Sequence, residues 1–172
     1  MAPTFHFIER AFAPLVARTG ARLDMVLRRM GFYPAGGGEV RARIVPAVGE
    51  LQPFDLLARG ALKEAVVEAI CAAVPKNVAV RELDEVARIT GWDRSTMLQV
   101  PARQEEGPGN IVLATLHYEH VTELVSSLGA HGLTSEAVAR KLCQELREYQ
   151  KKPDAAVGAH LADQLVLLLA LA

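Results

Sequence analysis

The chain has 172 residues, 51% hydrophobic and 23% charged, which is the balance of one folded domain, or of one domain and part of another. Nineteen Lys and Arg against 20 Asp and Glu leave a net charge of −1, which excludes a protein whose whole surface coats nucleic acid but leaves room for a local basic groove. Two cysteines far apart, Cys71 and Cys143, make neither a disulfide framework nor a zinc ligand set. The first residues do not read as a signal peptide, and the longest apolar run, Leu165 to Ala172, is far short of a membrane span, so a soluble, cytoplasmic chain is expected.

Residues 5 to 19 predict a helix, with Ile8, Phe12, Leu15 and Val16 on one face, Pro14 kinking or shortening it and Gly20 ending it. Residues 22–29 and 39–45 alternate: Leu23, Met25 and Leu27 in the first run, Val40, Ala42 and Ile44 against Glu39, Arg41 and Arg43 in the second. They predict an antiparallel pair joined by a long connector. The three glycines Gly36, Gly37 and Gly38 imply positive φ angles, a close backbone approach, or simply a flexible loop. Residues 61–71 fit a helix or a strand, and the spacing leaves both open. Pro75 opens a predicted helix to about Ile89, with Ala79, Leu83, Val86 and Ala87 on one face.

Gly107-Pro108-Gly109-Asn110 reads as a turn, followed by strand-like runs over 111–118 and 121–128. Thr134 or Ser135 caps a helix whose buried stripe is Val138, Leu142, Leu146 and Tyr149, and Pro153 stops it. A last helix is expected from about Ala155 to the end, with Val157, Leu161, Leu165 and Leu168 in register. Strands and helices mixed without regular alternation predict an α+β fold. A first helix almost at Met1 and an apolar last turn suggest a chain that needs further cover.

Few residues suggest chemistry. His117 and His120 lack a third ligand, so no metal site is expected. There is no dinucleotide fingerprint and no Walker loop, and no Ser or Cys stands in a nucleophile's setting. Residues 1–60 hold eight Arg and no Lys against five acids, and Arg22, Arg28, Arg29, Arg41 and Arg43 fall on the strand pair. They are either a phosphate-binding surface or a solvated strand face. In the last helix His160 is three residues from Asp163 and four from Gln164, so the three share a side. An imidazole stacks on a flat base, Asp accepts hydrogen bonds, Gln donates and accepts, and helix N-terminal amides attract phosphate. The cluster is either half of a nucleotide site or a polar first turn.

Several of these stretches together resemble one family, the RNA 3′-terminal phosphate cyclases. The matching pieces are Gly31-Phe32-Tyr33-Pro34-Ala35-Gly36-Gly37-Gly38, Val74 through Glu82, Gly107-Pro108-Gly109-Asn110, Val121-Thr122-Glu123, and Ala155 through Leu165. The resemblance implies a large domain of repeated α/β units, to which residues 1–60 and 154–172 belong, with a smaller α/β domain inserted over 61–153. It also implies a strand over 62–70. The implied activity is the ATP- and divalent-metal-dependent (Mg or Mn) conversion of an RNA 3′-phosphate into a 2′,3′-cyclic phosphate through an adenylylated histidine. By the same resemblance His160, Leu161, Ala162, Asp163 and Gln164 line the ATP pocket, with His160 where the family often has tyrosine. The family's nucleophile stands in a His-x-x-Thr-Asn setting that this sequence lacks. The chain alone is therefore expected to be inactive, with no catalytic or metal-binding residue of its own. The alternative expectation is a non-catalytic RNA- or protein-binding module, and the apolar last helix is the expected contact of a homodimer.

Overall fold

The protein is described by a computed structural model over residues 3–172. In chain order it runs α1 (Phe5–Phe7), a π-helical turn (Ile8–Phe12), α2 (Ala13–Arg18), β1 (Arg22–Arg29), β2 (Glu39–Val45), β3 (Leu62–Ala72), α3 (Asn77–Thr90), β4 (Leu98–Pro101), β5 (Gly109–Tyr118), β6 (Thr122–Leu128), α4 (Ser135–Gln150) and α5 (Ala159–Leu171). The fold is α+β. Short 3₁₀ turns at Arg94–Thr96 and Gln104–Glu106 flank β4.

The core is a four-stranded sheet in the order β4-β3-β5-β6, with β3 and β4 parallel and the other pairs antiparallel. Both faces are covered. Val67 and Ala69 of β3, Val112, Ala114 and Leu116 of β5 and Val125 of β6 pack under α3 and α4. On the opposite face Ile70 and Ala72 of β3, Ile111 and Leu113 of β5 and Leu124 of β6 meet Phe7, Ala11 and Leu15 of the N-terminal helix, Phe32, and Leu161 and Leu165 of α5. Adjacent strand residues thus go to opposite cores, as the pleat requires.

This double burial settles residues 61–71. A strand covered on both sides is apolar at consecutive positions, so its pattern ceases to alternate and mimics a helix face. The segment is the strand that the resemblance implied. The missed element is β4, four residues at the sheet edge carrying Pro101, where the lost N–H is tolerated.

Pro14 is accommodated through the π-helical turn. Pro14 donates no bond to the preceding turn, and Ala13 N–H reaches back five residues to the Ile8 carbonyl. Thr19 caps the helix and Gly20 turns at φ +87. α3 starts at Asn77, two residues after Pro75, whose carbonyl accepts from Val78 N–H at 2.9 Å. Thr134 caps α4, its hydroxyl accepting from Ala137 N–H at 3.2 Å, and the predicted stripe from Val138 to Tyr149 is buried. Arg81 joins the two helices through a two-pronged bond to Glu136 at 2.8 and 2.9 Å.

The β1–β2 pair stands apart as its own two-stranded ribbon. Its connector is ordered rather than loose. Gly36 N–H donates to the Phe32 carbonyl at 2.7 Å, Gly36 and Gly37 hold φ of +66 and +75, and Gly31 and Gly38 touch backbone to backbone with no room for a Cβ. Phe32 is buried directly over Gly109, and Arg29 donates to the Glu105 carbonyl at 2.8 Å. The Gly-Phe-Tyr-Pro string and the Gly-Pro-Gly-Asn turn are thus two halves of one contact. A further bolt is Arg59, whose guanidinium lies 5.0 Å from the Tyr118 ring and 4.6 Å from that of Tyr149.

Candidate functional site

The five residues singled out on the last helix divide by face. Leu161 is fully buried and, with Leu165, plugs α5 into the core beneath the sheet, so it anchors the helix rather than facing a ligand. Ala162 is half-buried. His160, Asp163 and Gln164 are exposed, on turns that face away from that core, and Gln164 Nε2 reaches Asp163 Oδ2 at 3.4 Å. The structure brings an imidazole, a carboxylate and a carboxamide onto one open surface, within the first two turns of a helix. This supplies stacking, accepting and donating groups from one side only.

The helix begins four residues later than its periodicity suggests, and Glu123 on β6 is the reason. Its carboxylate accepts the Gly158 N–H at 2.6 Å and the Leu124 N–H at 3.2 Å. Gly158 is the N-cap, and a carboxylate at a helix N-terminus is favoured by the helix dipole. Glu123 is 3% exposed, and burial raises its pKa above the ordinary range against the pull of those two amides. The Gly158 amide, one of those expected to attract a phosphate, is therefore already occupied by the chain's own carboxylate. Glu123 belongs to the resemblance but not to the expected site residues. An isolated carboxylate followed by Leu124 and Val125 in a core strand is the signal that could have found it.

Glu82 is likewise absent from the expected site. It is fully buried on the sheet-facing side of α3, where Asn110 Nδ2 donates to one carboxylate oxygen while the other has no partner among the described residues. Burial pushes its pKa up to about 7, partly offset by Asn110. The histidines expected to be inert in metal binding lie apart from this group: His117 Nδ1 sits 3.2 Å from the Thr122 hydroxyl, and His120 is exposed. Among the described residues no three His, Cys, Asp or Glu side chains converge. Both thiols are pushed up to about 11 by burial, the opposite of an activated nucleophile.

The family model described as RNA 3′-terminal phosphate cyclase matches residues 1–172. The chain belongs to the RNA 3′-terminal phosphate cyclase family. It is similar to the RNA 3′-terminal phosphate cyclases of Pseudomonas fluorescens, at 41% identity over 172 residues, and Ralstonia nicotianae, at 44% over 172 residues. The protein of the same name from Salmonella agona is 40% identical over 171 residues. These alignments take in 99 to 100% of this chain and 48 to 49% of the relatives, so the chain spans about half the length of the cyclases it matches. No helix of the described residues is long and apolar enough to cross a membrane.

Proposed function

We propose that this chain contributes the nucleotide-facing helix and the small α/β domain of an RNA 3′-phosphate cyclase. The complete protein would use ATP to close an RNA 3′-phosphate onto its neighbouring 2′-hydroxyl as a 2′,3′-cyclic phosphate. The division into residues 1–60 and 154–172 as large domain and 61–153 as insert belongs to this reading. The observation that carries it is the open His160, Asp163 and Gln164 surface of α5, set in place by Leu161 and Leu165 beneath and by Glu123 at its start. Asp163 and Gln164 suit the amino group and ring nitrogens of adenine or the ribose hydroxyls, and His160 suits the flat face of the base. Bound ATP supplies an activated phosphate. This chain's own part is to orient the nucleoside. None of its five histidines stands in a His-x-x-Thr-Asn setting, and none has a role as the adenylylated group in this reading. Among the described residues no three His, Cys, Asp or Glu side chains gather where the divalent metal of the family reaction could be held.

Titration of the 172-residue chain with ATP, followed by amide NMR, tests the assignment. Shifts are expected to concentrate on residues 159–164, and Asp163→Ala is expected to weaken binding about tenfold, the usual worth of one charge-assisted hydrogen bond. Incubation with labelled ATP is expected to leave no histidine-linked AMP. Shifts confined to other parts of the fold, or an Asp163→Ala chain that binds as well as the parent, would overturn the reading. A second reading is a non-catalytic RNA-binding module, favoured by the exposed arginines of the β1–β2 ribbon.

A further inference from the structure

The β1–β2 ribbon has two unlike faces, and the register separates them. Leu23 pairs with Ile44, Met25 with Ala42 and Leu27 with Val40, which makes one apolar face. On the other, Arg22 pairs with Val45, Asp24 with Arg43, Val26 with Arg41 and Arg29 with Glu39. That second face carries four arginines against two acids, and Arg28 stands exposed at the register shift beside it. Of these five, only Arg22 makes an ion pair among the described residues, to Asp24 at 3.1 Å, and Arg29 is held by the Glu105 carbonyl. Arg28, Arg41 and Arg43 are, among the described residues, cations without anions.

A second cationic groove, between the ends of α3 and α4, shows the contrast. There Arg88 and Arg140 both reach Glu85, Arg147 donates to the Ile89 carbonyl, and Lys151 pairs with Glu148. Its charges are satisfied within the fold, whereas those of the ribbon are not.

Tyr33 stands at the turn end of the ribbon and is 96% exposed. It does not sit on a loose loop. Its neighbour Phe32 is buried over Gly109, the Gly36 N–H closes the turn, and Gly31 and Gly38 are in backbone contact. An aromatic ring presented in full to water on a fixed support forgoes the burial that usually stabilises such a residue. With the unpaired arginines further along the same ribbon it supplies the two components of a single-strand platform, a stacking surface and a cationic track. Arg41 and Arg43, two residues apart on one face, are about 7 Å apart along the strand, on the order of one extended nucleotide step.

We infer that the arginine face of the β1–β2 ribbon and the ring of Tyr33 bind single-stranded RNA, with phosphates on Arg41 and Arg43 and a base stacked on Tyr33. This rests on the cyclase reading for its choice of RNA, and it names the surface that takes the strand leading to the 3′ end. RNA suits the site better than an acidic protein because the exposed ring asks for a flat partner, which a run of carboxylates lacks.

The test uses the 172-residue chain and a labelled single-stranded RNA 12-mer, with fluorescence anisotropy at several salt concentrations and no nucleotide. Tyr33→Ala is expected to weaken binding roughly tenfold with the salt slope unchanged, and Tyr33→Phe to retain it. Arg41→Ala with Arg43→Ala is expected to reduce the magnitude of the salt slope by about 1.4, at roughly 0.7 for each phosphate that is no longer neutralised on a single strand. All three positions are exposed, and a thermal melt of each variant checks that it folds. RNA affinity indifferent to Tyr33→Ala, a salt slope indifferent to the arginine pair, or displacement of the 12-mer by poly-glutamate as readily as by unlabelled RNA would each overturn the inference. A chain that binds ATP on α5 but whose RNA affinity ignores these substitutions refutes the surface and leaves the cyclase reading standing. A chain that binds RNA through Tyr33 and the arginines but shows no ATP response on α5 does the reverse.

Discussion

A carboxyl group sealed under α3, with one oxygen on Asn110 and the other without a partner among the described residues, keeps its proton more tightly than one in water. Glu82 is raised from 4.5 to about 7 by that burial. Between those two values the folded chain holds a proton that the unfolded chain has released. The stabilisation is therefore complete below pH 4.5 and is lost as pH rises through about 7, up to about 3 kcal/mol for a rise of this size. Glu123 acts in the same direction, since its pKa is raised too. His6 acts oppositely: burial and Arg10 lower its pKa, so its contribution is present above 6.5 and is lost as pH falls. The parent alone mixes these signals, and Glu82→Gln separates them. Gln keeps an acceptor for Asn110 and cannot ionise. The urea midpoint of the parent is expected to fall from pH 5 to pH 8 by clearly more than that of Glu82→Gln. Parallel pH profiles for the two proteins would show that Glu82 is ionised throughout.

The elements differ in how far local sequence encodes them. Helices α3 and α4 are legible because each buries a single stripe, and β1, β2, β5 and β6 because alternation or β-branched runs are intact between turns. β3 is ambiguous because both of its faces are buried, and β4 is silent because four edge residues with a proline carry no period. The start of α5 is displaced from its periodicity because its boundary is set by Glu123, 35 residues earlier in sequence, which no local pattern encodes. At the candidate site, spacing puts His160, Asp163 and Gln164 on one side, but it does not separate Leu161, which the fold needs for its core. The glycine string is readable only as a set of options. Its order comes from a partner far along the chain, where Gly109 leaves space for the Phe32 ring. Gly109→Ala is expected to press a methyl into that ring, costing about 2 kcal/mol as overpacking usually does. In a Phe32→Ala background the same change should cost much less, because the ring it strikes is gone. Equal costs in both backgrounds, by urea unfolding, would mean that the contact does not hold the loop.

At the scale of the whole molecule, the layers close on the sheet but leave two apolar surfaces open. One is the ribbon face of Leu23, Met25, Leu27, Val40, Ala42 and Ile44, of which Ile44 is 74% exposed. The other is the outer side of α5, where Val166, Leu167, Leu169 and Leu171 are 67, 69, 44 and 66% exposed. Leu161 and Leu165 satisfy the inner side of that helix, so the outer leucines add nothing to this fold and remain in contact with water. At roughly 25 cal/mol per Å² of apolar surface removed from water, covering such a stripe is strongly favoured. For the 172-residue chain by itself the available cover is a second copy. Sedimentation equilibrium is therefore expected to show a mass that rises with protein concentration. Leu167→Glu with Leu171→Glu is expected to restore the 18.6 kDa monomer at every concentration and to melt where the dilute, unassociated parent melts, since neither side chain is buried in the fold. A parent chain that stays monomeric throughout, or a double variant that associates as before, would remove the outer face of α5 as the contact.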